Sequence, residues 1–124
     1  MRNSFRNVRG LGSARSGTEH FWLQRLTAVA NLPLVAAFVV ILVALAGRSH
    51  AAVVATFGQP MVAILMLATV LSVIVHMRLG MQAIIEDYVH SEARKIVLLM
   101  ANTFFSIAVG LAAIFAVLRI SFGL

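Results

Sequence analysis

Residues 75–90 read VHMRLGMQAIIEDYVH, a stretch that leaves a long apolar run and ends among charged side chains. We therefore expect it to cross the boundary between lipid and water. At 3.6 residues per helical turn, His76, Gly80 and Asp87 lie on one stripe of a helix, with Tyr88 one step further around. The stretch predicts a membrane helix that carries a histidine within the bilayer and an acid–phenol pair at its surface.

These residue types suggest two kinds of binding chemistry. Histidine is a common axial ligand of heme iron, and a flat macrocycle needs a neighbour without a side chain, such as Gly80, beside its ligand His76. Asp87 and Tyr88 at a membrane surface suit a quinone, whose carbonyl accepts hydrogen bonds and then protons. We therefore treat the stretch as a candidate site for heme and quinone.

Each candidate also has a purely structural interpretation. A membrane histidine such as His76 can be a neutral imidazole that is hydrogen-bonded to a neighbouring helix. Asp87 can belong to a solvated loop, and Tyr88 can be one of the aromatic residues that collect at the membrane interface. Intramembrane ionisable groups are nevertheless functional-site candidates by default, so the residues alone leave both interpretations open.

Two sequence patterns point to a known family. The spacing H-x-x-x-G from His76 to Gly80 is followed by the pair Asp87-Tyr88, and the segment GTEHFWLQR at residues 17–25 precedes the first apolar run. Together with the length and layout of the chain, these patterns resemble the small hydrophobic membrane anchor of succinate dehydrogenase (respiratory complex II). The resemblance covers nearly the whole chain.

The resemblance implies a role for four residues. It implies that His76 is an axial ligand of a heme b that is shared with a partner membrane subunit, and that Arg25 lies near the heme propionates. It also implies that Tyr88 donates a hydrogen bond to the carbonyl of ubiquinone, the substrate. Asp87 would lie beside Tyr88 to orient it or to relay protons.

The composition independently places most of the chain in lipid. Of the 124 residues, 61% are hydrophobic and only 11% are charged, whereas soluble domains carry about a quarter charged residues. The absence of cysteine excludes disulfides and thiolate metal sites. Five of the ten Lys and Arg residues precede the first apolar run, which is typical of a cytoplasmic flank and does not predict nucleic-acid binding.

The charge pattern divides the chain into an arm and an anchor domain. Residues 1–17 form a basic, flexible arm, with a transit peptide as the alternative, and residues 18–124 form the membrane anchor. Apolar runs at about 26–47, 61–85 and 96–118 are each long enough to span a bilayer. We predict an all-α membrane protein with three transmembrane helices that form part of a heteromeric helical bundle.

Several residues predict local structure within this layout. Pro33 is expected to open the first helix locally near Val29, whose carbonyl loses its hydrogen-bond partner. Pro60 is expected to begin the second helix, and Ser91 to cap the third. The segment 51–57 is left open as a loop or a short turn. A stripe of small residues on the third span predicts close helix packing without chemistry: Ser106, Gly110 and Ala113.

Charge also predicts the orientation. The arginine-rich start should be cytoplasmic and the C-terminus periplasmic. We expect the chain in a bacterial inner membrane, with a mitochondrial inner membrane as the alternative. His76 then lies nearer the cytoplasmic end of its helix, where an electron-donating enzyme would dock.

The predicted function needs other subunits. The chain has neither a flavin motif nor the cysteines of an iron–sulfur protein, so it cannot oxidise a dicarboxylate alone. The resemblance implies a flavoprotein, an iron–sulfur protein and a second membrane anchor, the cytochrome b subunit, as partners. Together they would form succinate:ubiquinone oxidoreductase, a respiratory-chain enzyme of the tricarboxylic acid cycle.

Three alternatives remain at this point. A fumarate-reductase-type anchor of the same superfamily would run the reaction in reverse. A small proton-coupled transporter or channel would use His76 and Arg78 as titratable groups. A passive anchor would give no role to Asp87 and Tyr88.

Overall fold

The computed structural model describes residues 14–124, with side chains from residue 18 onward, and this part of the chain is entirely helical apart from short connections. In order, the elements are α1 (Ala14–Leu45), α2 (His50–Phe57), α3 (Pro60–Tyr88) and α4 (Glu92–Ser121). Residues 1–13 of the predicted basic arm lie outside the described residues. The last four residues of that arm, 14–17, form the beginning of α1.

Three of these helices are long and apolar enough to cross a membrane. They are Thr18–Leu45, Pro60–Tyr88 and Glu92–Ser121, with 28, 29 and 30 residues. At 1.5 Å per residue, each reaches roughly 42–45 Å, which matches a bilayer including its headgroup regions. The predicted all-α membrane protein with three transmembrane helices is confirmed. Each helix begins before its predicted span, and the second and third also end beyond it.

The helix ends follow from local sequence. Gly47, which follows α1, has a φ of +77°, a conformation that glycine adopts without strain. Ser49 caps α2 by accepting a hydrogen bond from the backbone N–H of Ala52 at 3.2 Å. Pro60 is the first residue of α3, as predicted. Ser91 is in the cap position of α4, but its side chain makes no capping hydrogen bond.

Pro33 and the segment 51–57 both lie in helices. Helix α1 continues through Pro33 to Leu45, so the expected opening near Val29 does not end it. Residues 51–57 belong to the short helix α2, whose last residue, Phe57, is buried. Phe57 packs in one cluster with Met66 and Val117, so α2 folds back onto the ends of α3 and α4.

Helix α3 is the central element, with α1 on one side and α4 on the other. Small residues of α4 allow this helix to lie close to α3. Ser106 is 1% exposed, and a Cβ on Gly110 would meet Cγ2 of Ile74 at 3.5 Å. This confirms the predicted packing stripe. The outer faces expose apolar side chains such as Leu32 and Phe104, as expected where lipid or another subunit provides the contact.

Candidate functional site

His76 faces α1 and is half-buried there. Its Nδ1 lies 3.0 Å from Oγ1 of Thr27, which is buried. One turn earlier on α3, the hydroxyl of Ser72 donates to the backbone carbonyl of Thr27 at 3.4 Å. Two residues of one α3 stripe therefore reach the same residue of α1, and this pair of contacts fixes where the helices meet.

A cavity of about 370 Å³ opens beside His76, between α1 and α3. Its polar lining residues from α1 are His20, Gln24 and Arg25. Among the described residues, neither Nε2 of His20 nor Oε1 of Gln24 has a hydrogen-bond partner, although both atoms are buried. Five buried side-chain atoms of the described residues lack a partner, and these two belong to residues that line the cavity, where an additional polar group can bind them.

The resemblance places Arg25 and His76 near the same bound group, and both residues line this cavity. The guanidinium carbon of Arg25 lies 5.0 Å from the centre of the Phe21 ring, within cation–π distance. Because Phe21 and Arg25 are exposed, the cavity opens on the outer surface of the chain. A guanidinium there can bind an anionic group that enters from that side.

Gly80 lies one turn from His76 and also faces α1. A Cβ added to Gly80 would meet only Nε2 of Gln24, at 3.6 Å, which is an ordinary van der Waals contact. The described part of the chain therefore has room for a methyl group at this position. A requirement for glycine at this position would have to come from a group other than the described residues.

The side chains in this cavity fit a heme. An imidazole that donates from Nδ1 keeps the lone pair of Nε2 for iron, and Arg25 supplies a positive charge for propionates. Nε2 of His20, which has no partner among the described residues, can donate a further hydrogen bond to a propionate when it carries the ring proton. Among the described residues, no group of three or more side chains could hold a metal ion together.

Tyr88 lines a different cavity, on the other side of α3. This cavity of about 560 Å³ lies between α3 and α4 and is almost entirely apolar, with Met81, Ile84 and Phe105 among its walls. Tyr88 is 76% exposed, so its hydroxyl is accessible at the end of α3. Asp87 is also exposed, but it does not line this cavity.

Arg78 belongs to the α4 side of α3. Its Nη2 lies 3.5 Å from Oγ1 of Thr103, and its backbone carbonyl accepts a hydrogen bond from Asn102 at 3.0 Å. His76 and Arg78 therefore face different helices, as the helical period predicts for residues two positions apart. The structure does not bring them together as a pair of titratable groups.

Of the α1 residues at this site, only Arg25 was predicted; the structure adds His20, Gln24 and Thr27. A helical period contains the missing signal, because His20, Gln24, Thr27 and Asn31 follow one another at i, i+4, i+7 and i+11. A polar stripe of this kind on a transmembrane helix predicts contact with another polar surface.

Comparisons with known proteins agree with a membrane-spanning chain. Residues 1–115 match the model of the family described as succinate dehydrogenase/fumarate reductase transmembrane subunit. The succinate dehydrogenase hydrophobic membrane anchor subunit of Paracoccus denitrificans is 33% identical over 114 residues, covering 92% of this chain and 88% of the relative. Its namesake in Rickettsia bellii (strain RML369-C) is 32% identical over 112 residues, with 89% and 88% covered.

A third relative extends the comparison to another organism. The succinate dehydrogenase membrane anchor subunit of Reclinomonas americana is 34% identical over 86 residues, covering 67% of this chain and 72% of the relative. No solved structure gives a significant match. With three apolar helices of membrane-spanning length and a family match over most of its length, this chain belongs to the succinate dehydrogenase/fumarate reductase transmembrane subunit family.

Proposed function

We propose that the chain is the hydrophobic membrane anchor of a succinate:ubiquinone oxidoreductase, that it supplies one axial ligand of a heme b and that it contributes to the quinone-reduction site. The observation that carries the proposal is the cavity between α1 and α3. There, His76 is held by Thr27 beside Arg25 and two buried polar atoms that lack partners among the described residues. A purely structural role for His76 would explain its contact with Thr27 but not the open, polar-lined cavity beside it.

The residues of this cavity would bind the heme in complementary ways. Nε2 of His76 would ligate the iron, while Arg25 would neutralise propionate charge at the mouth of the cavity. Gly80 would leave the ring plane free of a side chain next to the ligand. Bound there, a heme b supplies one-electron redox chemistry. The second axial ligand would come from the cytochrome b subunit, the partner that the resemblance to succinate dehydrogenase anchors implies.

The quinone site would lie at the end of α3. The exposed Tyr88 hydroxyl can donate a hydrogen bond to a quinone carbonyl, and the apolar cavity beside it suits a substrate with an isoprenoid tail. Asp87, the preceding residue, would orient the headgroup or pass protons from water to the reduced oxygen. Because Asp87 does not line the same cavity, we assign it to the aqueous side of the site.

The remaining catalytic parts would come from other subunits. A flavoprotein would oxidise succinate, and an iron–sulfur protein would carry its electrons to the quinone. Both would dock on the cytoplasmic side of a bacterial inner membrane, the side on which the arginine-rich N-terminus is expected. This chain would then anchor them to the membrane and present Tyr88 to the arriving electrons.

A reduced-minus-oxidised optical spectrum tests the heme proposal. The tagged chain is purified in detergent with the proteins that accompany it, beside His76→Ala and the control His50→Ala, which removes an exposed histidine at the other end of the bundle. We expect a b-type signal in the wild type and the control, and a lost or shifted signal in His76→Ala. An unchanged spectrum in His76→Ala would refute axial ligation.

A further inference from the structure

We infer that Thr27 is a positioning residue for His76: its hydroxyl accepts the Nδ1–H and thereby fixes the imidazole in the tautomer whose Nε2 is free to bind iron. The role in iron binding rests on the proposed function. The tautomer itself is a property of this chain and can be measured without any bound group. The single proton of the threonine hydroxyl decides between the two tautomers.

A threonine hydroxyl has one proton to donate and two lone pairs to accept with. Oγ1 of Thr27 lies 2.7 Å from the carbonyl oxygen of Leu23 and 3.2 Å from that of Gln24. At 2.7 Å, two oxygens without a proton between them would repel each other, whereas this is the usual length of an O–H···O bond. The hydroxyl proton is therefore directed at the α1 backbone.

This arrangement leaves one possibility for the bond to His76. Since the proton of Thr27 points to Leu23, the 3.0 Å contact between Oγ1 and Nδ1 needs a proton from the ring. The neutral imidazole must then be protonated at Nδ1 and unprotonated at Nε2. Histidine ligands of metals usually donate their other N–H to such a partner, which fixes both tautomer and ring orientation.

The position of Thr27 is itself well defined. The residue is 9% exposed, and its backbone carbonyl accepts the hydroxyl of Ser72 from the same α3 stripe. Because the acceptor is held by its own helix turn and by α3, the imidazole does not have to order a mobile partner when it binds iron. Preorganisation of this kind increases ligand affinity.

Thr27→Val is the decisive variant, because it removes the hydroxyl and keeps the branched shape. Thr27→Ser is the rescue variant, since it restores the hydroxyl. Thr69→Val is the matched control: Thr69 is a buried residue of α3 whose hydroxyl also donates to the carbonyl four residues earlier, Leu65, at 2.8 Å. All variants are made in the full chain, and a circular-dichroism melt in detergent checks that each one folds.

The first readout is the tautomer, measured by ¹⁵N NMR of the histidine-labelled chain in detergent without heme. We expect the Nδ1–H form of His76 in the wild type, Thr27→Ser and Thr69→Val, and a mixture of tautomers in Thr27→Val. An Nε2–H form in the wild type, or an unchanged Nδ1–H form in Thr27→Val, would overturn the inference whether or not the chain binds heme.

The second readout uses the purified complex. We expect Thr27→Val to weaken heme retention by about 10–100-fold, the usual effect of removing such a partner. The midpoint potential should rise, because the ring loses the acceptor that increases its basicity. Thr27→Ser should restore both, and Thr69→Val should change neither. Equal effects in Thr27→Val and Thr69→Val would assign the change to packing. If His76→Ala keeps a normal heme spectrum, the proposed function fails, and the tautomer result still decides the role of Thr27.

Discussion

The fold of the described chain does not require a glycine at position 80, whereas a bound group beside His76 would. Within the described chain, a methyl group at this position would make only an ordinary contact with Gln24. Glycine in the middle of a helix also costs about 0.5–1 kcal/mol relative to alanine. The fold alone would therefore favour alanine, so the glycine suggests that something else occupies the space beside His76.

Gly80→Ala turns this contrast into a prediction. We expect the free energy of unfolding without heme to be unchanged or to increase by up to about 1 kcal/mol, because the helix gains propensity. The same substitution should reduce heme content or shift the heme spectrum, because the methyl group would enter the space of the macrocycle. Thermal melts and optical spectra of one preparation measure both effects. Wild-type heme content together with an unshifted heme spectrum in Gly80→Ala would contradict the account.

Tyr88 offers a separate test of the proposed quinone site. Tyr88→Phe removes one hydrogen bond to the substrate, for which about 0.5–1.5 kcal/mol is typical, so kcat/KM for quinone should fall about 2–10-fold. The heme spectrum should remain unchanged, because Tyr88 lies on the other side of α3 from His76. Phe115→Leu, a change of an exposed aromatic far along α4, is the control. Unchanged quinone kinetics in Tyr88→Phe would favour a passive anchor.

At the scale of the elements, most of the architecture was predictable from local sequence. Long apolar runs specify transmembrane helices because the bilayer leaves backbone groups no other partners. Small residues such as Ser106 and Gly110 marked the α3–α4 contact, because only small residues allow such close approach. Helix α2 was not predictable: eight residues are too few to show a period, and its place depends on the burial of Phe57 against other helices.

The pairing of α1 with His76 was also beyond local sequence. The histidine and its neighbours on α3 defined half of the site, since one stripe can be read from the helical period. Thr27 lies 49 residues away, and no local rule states which faces of two apolar helices meet. The polar stripe of α1 indicates a contact surface, but only the folded chain shows that His76 lies against it.

The orientation of the helices is directly testable because the chain contains no cysteine. Ser49→Cys and Ser91→Cys place single thiols in the exposed loops before α2 and α4. With the N-terminus in the cytoplasm, a membrane-impermeant maleimide added to intact spheroplasts should label Ser49→Cys and spare Ser91→Cys. Lysis should then allow both to react. The reverse pattern would place the Tyr88 end of α3 on the wrong side for a cytoplasmic electron donor.

At the scale of the whole molecule, the surfaces of the chain suit contacts with other subunits. Its helices bury few side chains among themselves, and the cavity beside His76 opens outward between α1 and α3. A heme that needs a second ligand would join this surface to a second membrane subunit. The family to which the chain belongs is consistent with that role. A transporter that assembles from copies of one chain would not need a surface for a second kind of subunit.

The most direct test of this account is to purify the tagged chain from its native membrane in mild detergent and to measure succinate-dependent quinone reduction. The accompanying proteins are identified by mass spectrometry. We predict co-purification with a flavoprotein, an iron–sulfur protein and a second membrane anchor, together with succinate:quinone reductase activity. A heme-free assembly that contains only copies of this chain and shows no such activity would contradict the account.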